Sequence, residues 1–181
     1  SWERTFNDSL TPFFQTVTGS FATADGDFWV AGRRDSVALQ KVSVCKYSSG
    51  GNLLIEKNYF ALSPDIILCD MLTTDLHGNF YLGGRYLDGT NGNFLIMKFD
   101  SIGDLVWQFS YDGIFNGQDF VNEIKTDSLD NIYIAGRSYI SPTDSKAKAF
   151  VLKVNAGGTL DWIENTDIEV YSYDKIHLVP V

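Results

Sequence analysis

Two histidines, two cysteines and 23 acidic residues are the groups in this chain with obvious chemical capacity. His77 and His177 stand far from one another and from Cys45 and Cys69 in sequence, so no local His-His or His-Cys spacing suits zinc. No Gly-x-Ser-x-Gly nucleophile elbow supports a Ser-His-Asp set. "DGD" at Asp25 to Asp27 offers the clustered oxygens calcium prefers, yet the spaced loop closing on Glu is missing. "YSSGGN" and "NAGGT" are Gly-rich but lead into strand-like runs, without the helix N-terminus that phosphate binding uses. The sequence therefore assembles no catalytic set, metal site or cofactor site, and these stretches read as hairpin turns. His77 reads as a turn residue and His177 as part of a terminal strand.

Arg33, Arg85 and Arg137 are different, because a cation closes an apolar run three times over. Their stems are expected to cover a neighbouring element while their heads pair with loop carboxylates. Alternatively, they form a row of guanidinium groups open to an anionic glycan or peptide.

The elements that position them are written as a repeat. Gly32, Gly84 and Gly136 are separated by 52 residues at each step, within "DGDFWVAGR", "HGNFYLGGR" and "LDNIYIAGR". Lys46, Lys98 and Lys153 also correspond, as do Gly51, Gly103 and Gly158, the third unit carrying a three-residue insertion. Each unit divides into four short extended segments separated by turn residues. Four strands in about 50 residues is the size of one propeller blade. Asp75 and Asp127 are placed to accept backbone N–H groups in these turns, and Gly78, Asn79 and Asn131 to take up positive φ. Runs such as "FLIMKF" are apolar on both faces, so both must be covered. Trp107 and Trp162 then fill the widening gap between neighbouring sheets, and Ala-Gly or Gly-Gly before each Arg marks close backbone approach.

The expected fold is all-β: a partial β-propeller of four-stranded antiparallel blades at 13–59, 65–111 and 117–167, flanked by single strands at 1–10 and 171–181. The whole chain, 1–181, makes one propeller piece. A closed ring takes at least ~4 blades, so this piece belongs to a longer propeller or closes with a second copy. A net charge of -9 and a pI near 4.5 argue against nucleic acid. No apolar run approaches the ~18 residues of a membrane span, and no signal peptide opens the chain. Cys45 and Cys69 each lie in an apolar run and read as buried thiols rather than a bridge.

The pattern Asp-x-x-Gly-Asn-x-Tyr-x-Ala-Gly, then Phe-x-x-Lys-hydrophobic-Asp-x-x-Gly, then a Trp strand, resembles the SBBP-type bacterial β-propeller repeat. It is clearest in "DLHGNFYLGGRYLDGTNGNFLIMKFDSIGDLVWQFSYDG" and weaker in the first unit, where Thr23 replaces the turn Asp and Ile55 the Trp. The resemblance implies a secreted or cell-surface location, as in cargo of the type IX secretion route, with a scaffold or adhesive role and no catalytic residues. Asp-Ser-aliphatic tripeptides at Ser9, Ser36, Ser101 and Ser128 are similar to the O-glycosylation signal of bacteria using that route; Asp-Ser is also ordinary turn chemistry.

These readings converge on a non-enzymatic scaffold or interaction module. Its partner, a protein or the remaining blades, meets the variable loops beside Arg33, Arg85, Tyr86, Phe115, Asp119, Arg137 and Tyr139, of which Tyr86, Phe115, Asp119 and Tyr139 are expected to be exposed. A carbohydrate-binding propeller stacking sugars on Tyr and Trp is the alternative, and part of a propeller glycosidase or lyase the second.

Overall fold

The structure, a computed structural model, describes residues 16–35, 40–60, 68–88, 91–113, 115, 117–141, 146–171 and 176–178. Among these residues, twelve strands form three sheets of four. The first sheet holds β1 (Thr16–Ala22), β2 (Phe28–Asp35), β3 (Gln40–Tyr47) and β4 (Leu53–Tyr59). The second holds β5 (Leu68–Thr74), β6 (Phe80–Asp88), β7 (Asn91–Phe99) and β8 (Leu105–Tyr111). The third holds β9 (Asp119–Thr126), β10 (Ile132–Tyr139), β11 (Lys146–Val154) and β12 (Leu160–Tyr171). Every sheet is an antiparallel meander in chain order, and the described residues contain no helix. The expected strand at 1–10 lies outside the described residues. Of 171–181, Tyr171 ends β12 and residues 176–178 pair in no strand.

Six five-residue turns join the strands at one end of the sheets, and their sequence explains them. Asp75 Oδ1 accepts the backbone N–H groups of His77 and Asn79, both at 2.9 Å. Oδ2 takes the Asn79 amide at 2.8 Å and the Tyr81 hydroxyl at 2.9 Å. Asp127 does the same for Leu129, Asn131 and Tyr133. Burial works to raise the Asp75 carboxyl, but the bonds from Asn79, Tyr81 and the two backbone N–H groups hold it below the usual range. The positive φ falls on the fourth turn residue, at Gly26, Gly51, Gly78, Gly103 and Gly158. In "DSLDN" that place belongs to Asp130, at φ 61°, so Asn79 and Asn131 serve as amide donors and not as left-handed residues. A short polar side chain tolerates that region at modest cost.

The Ala-Gly phrase faces a β-bulge. In the first strand of each sheet one residue is left out of register, Thr18, Asp70 and Asn122 in turn, again 52 apart, opposite Ala31-Gly32, Gly83-Gly84 and Ala135-Gly136. The bulge bends the strand and brings backbone close. A Cβ on Gly136 would lie 2.3 Å from Phe120 O and from Phe150 Cζ.

The core lies between the sheets. Trp29, Ala31, Val42 and Val44 of the first pack on Phe80, Leu82, Leu95, Met97 and Phe99 of the second. Tyr81, Phe94 and Ile96, on the other side of the second sheet, pack on Val121, Ile124, Ile132, Ile134, Phe150 and Leu152 of the third. The first strands adjoin in series, β1 against β5 and β5 against β9. Each interface is fixed by an aromatic on the glycine of the next sheet's second turn. Trp29 covers Gly103, while Trp107 covers Gly158 and donates Nε1–H to Ala156 O at 3.1 Å. Trp107 thus fills the inter-sheet gap as its sequence position implied. Cys45 is a free, buried thiol that burial pushes up to about 12; the Cys69 side chain lies outside the described residues.

Gly158→Ala is expected to destabilise the protein by about 2–4 kcal/mol, since the new Cβ meets φ +86° and Trp107 Cδ2 at 2.8 Å. Gly50→Ala, where a Cβ has nothing nearer than 3.8 Å, should cost under about 1 kcal/mol. Urea melts of the two variants check this, and equal costs would remove the anchoring role given to Trp107.

Candidate functional site

The C-terminal ends of β2, β6 and β10 and the start of β9 lie at the end of the sheets opposite the six turns, because strand direction alternates through each meander. All three repeated arginines sit there, half-buried, near the C-terminal ends of β2, β6 and β10. The boundary between the second and third sheets is where they converge. Arg85 reaches from β6 over the Phe120 ring of β9, Cζ 4.3 Å from its centroid, and donates to Gln118 Oε1 at 2.8 Å. Arg137 lies over the same ring at 4.9 Å and donates to Asn122 Oδ1, on the bulge residue, at 3.4 Å. Two guanidinium groups thus share one aromatic ring, a pairing favoured where water is partly excluded. The Arg85 guanidinium reaches the next sheet, where a ring and an amide stand among its contacts in place of the expected loop carboxylate.

Gln118 knits the boundary. It bridges Gly92 of β7 in parallel register, and its carbonyl accepts the Tyr139 N–H at 3.0 Å. Gly117 is pressed so closely that a Cβ would sit 2.1 Å from Tyr139 O. The Tyr139 ring meets Phe120 edge-on at 5.6 Å. Tyr86 accepts the Asn93 amide at 3.2 Å. Phe115, Tyr86 and Tyr139 are all half-buried. Arg33 holds the corresponding place in the first sheet, opposite Thr16 and Val42.

Asp119 departs from its expected exposure: it is 0% exposed. The chain folds over it at Gly113, whose N–H donates to Oδ2 at 2.7 Å, while Oδ1 lies beside Ser138 Oγ, its cross-strand neighbour. Neither Oδ1 nor Ser138 Oγ has a well-aligned partner among the described residues. Burial pushes the carboxyl up to about 6, against the lowering pull of Ser138 and Gly113. A proton on Oδ1 would bond Ser138 and complete the cluster. Asp119 therefore ties the β8–β9 connection to the third sheet instead of facing a ligand.

Gln118, Phe120, Asn122 and Ser138 were invisible as site residues in the sequence, because only the bulged register sets them beside the arginines. Arg34, adjacent to Arg33, points the other way; it is 5% exposed and pairs with Glu56 and Asn58.

At the opposite end, Asp75, His77 and Asp130 bring three potential metal ligands within 4.8 Å. Both Asp75 oxygens already accept two hydrogen bonds each, and His77 Nδ1 pairs with Asp130 at 3.0 Å, which leaves the trio a turn lock. Asp25 and Asp27 hold the Lys46 ammonium at 3.6 and 3.1 Å, where calcium would have to sit. Ser101 and Ser128 stand exposed in their turns; Ser9 and Ser36 lie outside the described residues.

No family model matches this chain, and neither does any curated protein. A solved structure described as "Crystal structure of the eukaryotic initiation factor" is similar to it, with 12% identity and a TM-score of 0.52 over 85% of this chain and 33% of that one. The chain thus spans about a third of the length of the structure it matches, and at that identity the likeness concerns the arrangement of sheets alone.

The raised Asp119 pKa has a definite sign. Its contribution to stability is full below the unfolded value near 3.8 and is lost as pH rises through about 6, costing up to ~3 kcal/mol above that. Asp119→Asn keeps an acceptor for Gly113 and gains a donor for Ser138. Its stability relative to wild type should climb between pH 4 and 6.5 and then level off in urea melts. A difference that is flat with pH would show that Asp119 is not held protonated.

Proposed function

We propose that the three sheets are successive blades of a β-propeller and that the chain is a non-enzymatic interaction module, binding a partner protein at the end that carries its repeated arginines. The observation carrying this reading is the convergence of Arg85 and Arg137 on Phe120 across a sheet boundary. The arrangement concentrates cationic and aromatic surface on one end of a molecule whose net charge is -9. Interfaces are enriched in this pairing of Arg with aromatic rings, and Arg forks recognise carboxylates in two-point fashion. The connections beside it differ in every unit, "RRDSVALQK", "RYLDGTNGN" and "RSYISPTDSKAKA", so the frame repeats while the recognition surface varies.

In this reading the partner is an acidic protein segment, met outside the cell or at its surface, a location supported by the repeat's resemblance to secreted bacterial propellers. The serial packing of first strands supports the propeller arrangement, with further blades needed for closure. Sugar stacking has less support, since the Phe120 ring is already engaged by two guanidinium groups. A hydrolase reading has less again, because Asp119, the carboxylate nearest the repeated arginines' strands, is enclosed and tied to Gly113.

Binding to an array of acidic and aromatic peptides tests the proposal. A subset should bind, and the Arg85→Lys, Arg137→Lys double variant should lose about tenfold or more in affinity through loss of the planar fork, with its melting temperature little changed. Binding to a glycan array with no peptide bound would replace this reading by the carbohydrate one.

A further inference from the structure

Both outer faces of the array are open at their edge strands. On the first sheet, the face turned away from the second buries Ser43, Cys45 and Tyr47 of β3 but exposes Val17 of β1 and Leu53 of β4. On the third sheet, the face turned away from the second is open at its outer strand, where Trp162 is 43% exposed.

Trp162 stands where Trp107 stands one sheet earlier. Trp107 pairs with Lys98 across β7 and β8, and Trp162 pairs with Lys153 across β11 and β12. Trp107 meets Tyr81 at 6.1 Å, and Trp162 meets Tyr133 at 6.3 Å. The same side-chain cluster is therefore assembled twice, but only the first copy is capped, by the turn containing Ala156 and Gly158. Near the inner strand the third sheet's open face is already being covered. Ile176 packs on Ala147 and Ala149, and the Leu178 N–H donates to Glu123. Residues 176–178 thus follow the side of β9 that would face a further first strand.

We propose that this face docks a fourth four-stranded sheet of the same repeat, on the same polypeptide, with Trp162 seated on the positive-φ glycine of that sheet's second turn. The inference rests on the propeller reading above and deepens it by naming the contact. The occupant is set by continuity with the interfaces present: an aromatic covers a turn glycine between the first and second sheets and again between the second and third. The occupant's chemistry follows. Its turn presents a glycine without side chain under the indole and a backbone carbonyl for Nε1–H, as Gly158 and Ala156 do for Trp107.

The test extends the full chain after Val181 with a copy of residues 117–171, the block whose turn receives Trp107. Extension should raise the melting temperature by about 5 °C or more, and Trp162→Ala should abolish that gain while shifting the unextended chain by only about 1 °C. With 5-fluorotryptophan incorporated, the Trp162 fluorine resonance should lose its solvent isotope shift on extension. The proposal is overturned if the appended block stays unfolded, if Trp162 remains in contact with water, or if Trp162→Ala acts equally in both chains. It is also overturned if the unextended chain dimerises with Trp162 shielded. Peptide binding is read at the other end of the sheets, so retained binding with failed docking would remove this proposal and leave the interaction module standing.

Discussion

A four-stranded meander with apolar residues on both sides cannot remain dry by itself, and everything else in this molecule answers that constraint. β7 shows it most plainly. Leu95, Met97 and Phe99 face the first sheet while Phe94 and Ile96 face the third, all buried. A sheet of this composition needs cover on both faces, at roughly 1.5–3 kcal/mol for each large side chain kept from water. The repeat supplies cover by placing an equivalent sheet on either side, and the aromatic set over a turn glycine fixes how far apart the sheets stand.

The turns and the interfaces are coupled through a single residue pair. In the second and third sheets an Asp in the first turn accepts a Tyr hydroxyl, Asp75 with Tyr81 and Asp127 with Tyr133. In the first sheet the pair becomes Thr23 and Trp29. Thr23 keeps the turn with a bond to Asp27 O at 2.9 Å, and Trp29 reaches instead to Gly103 of the neighbouring sheet. That reach covers for Ile55, which stands where Trp107 would be, and it leaves the indole Nε1 buried without a hydrogen-bond partner among the described residues. The first unit has exchanged a hydrogen bond inside its turn for apolar contact between sheets. Tyr59 adds a polar tie to the same place, its hydroxyl donating to Gly103 O at 2.6 Å.

The sheets were legible in the sequence because period and turn chemistry agree: the glycines step by 52 and each block carries its own hairpin signals. The first strands were less legible in detail. A bulge at Thr18, Asp70 or Asn122 adds a residue without any change in composition, and only backbone pairing reveals it. That shift decides which side chains of β9 stand beside Arg137, so Phe120 and Asn122 escaped notice while the arginines did not. Asp119 was misjudged as exposed for a related reason. An acidic residue opening a strand looks solvated until Gly113, six positions back, is seen to fold over it. Asp130 shows the limit of residue-type rules: Asn is the commoner left-handed residue after Gly, yet the five-residue turn demands that conformation one place earlier.

Each sheet is made from one unbroken stretch of chain, and no strand is exchanged between sheets. Neighbouring sheets hold one another mainly sideways, through rings and turn glycines; the ladders lie within each block, and the parallel bridge between Gly92 and Gln118 ties the second block to the third. Under tension applied at its two termini, such a molecule yields in discrete steps, one block at a time, because shearing a sheet loose leaves the ladders of the others intact.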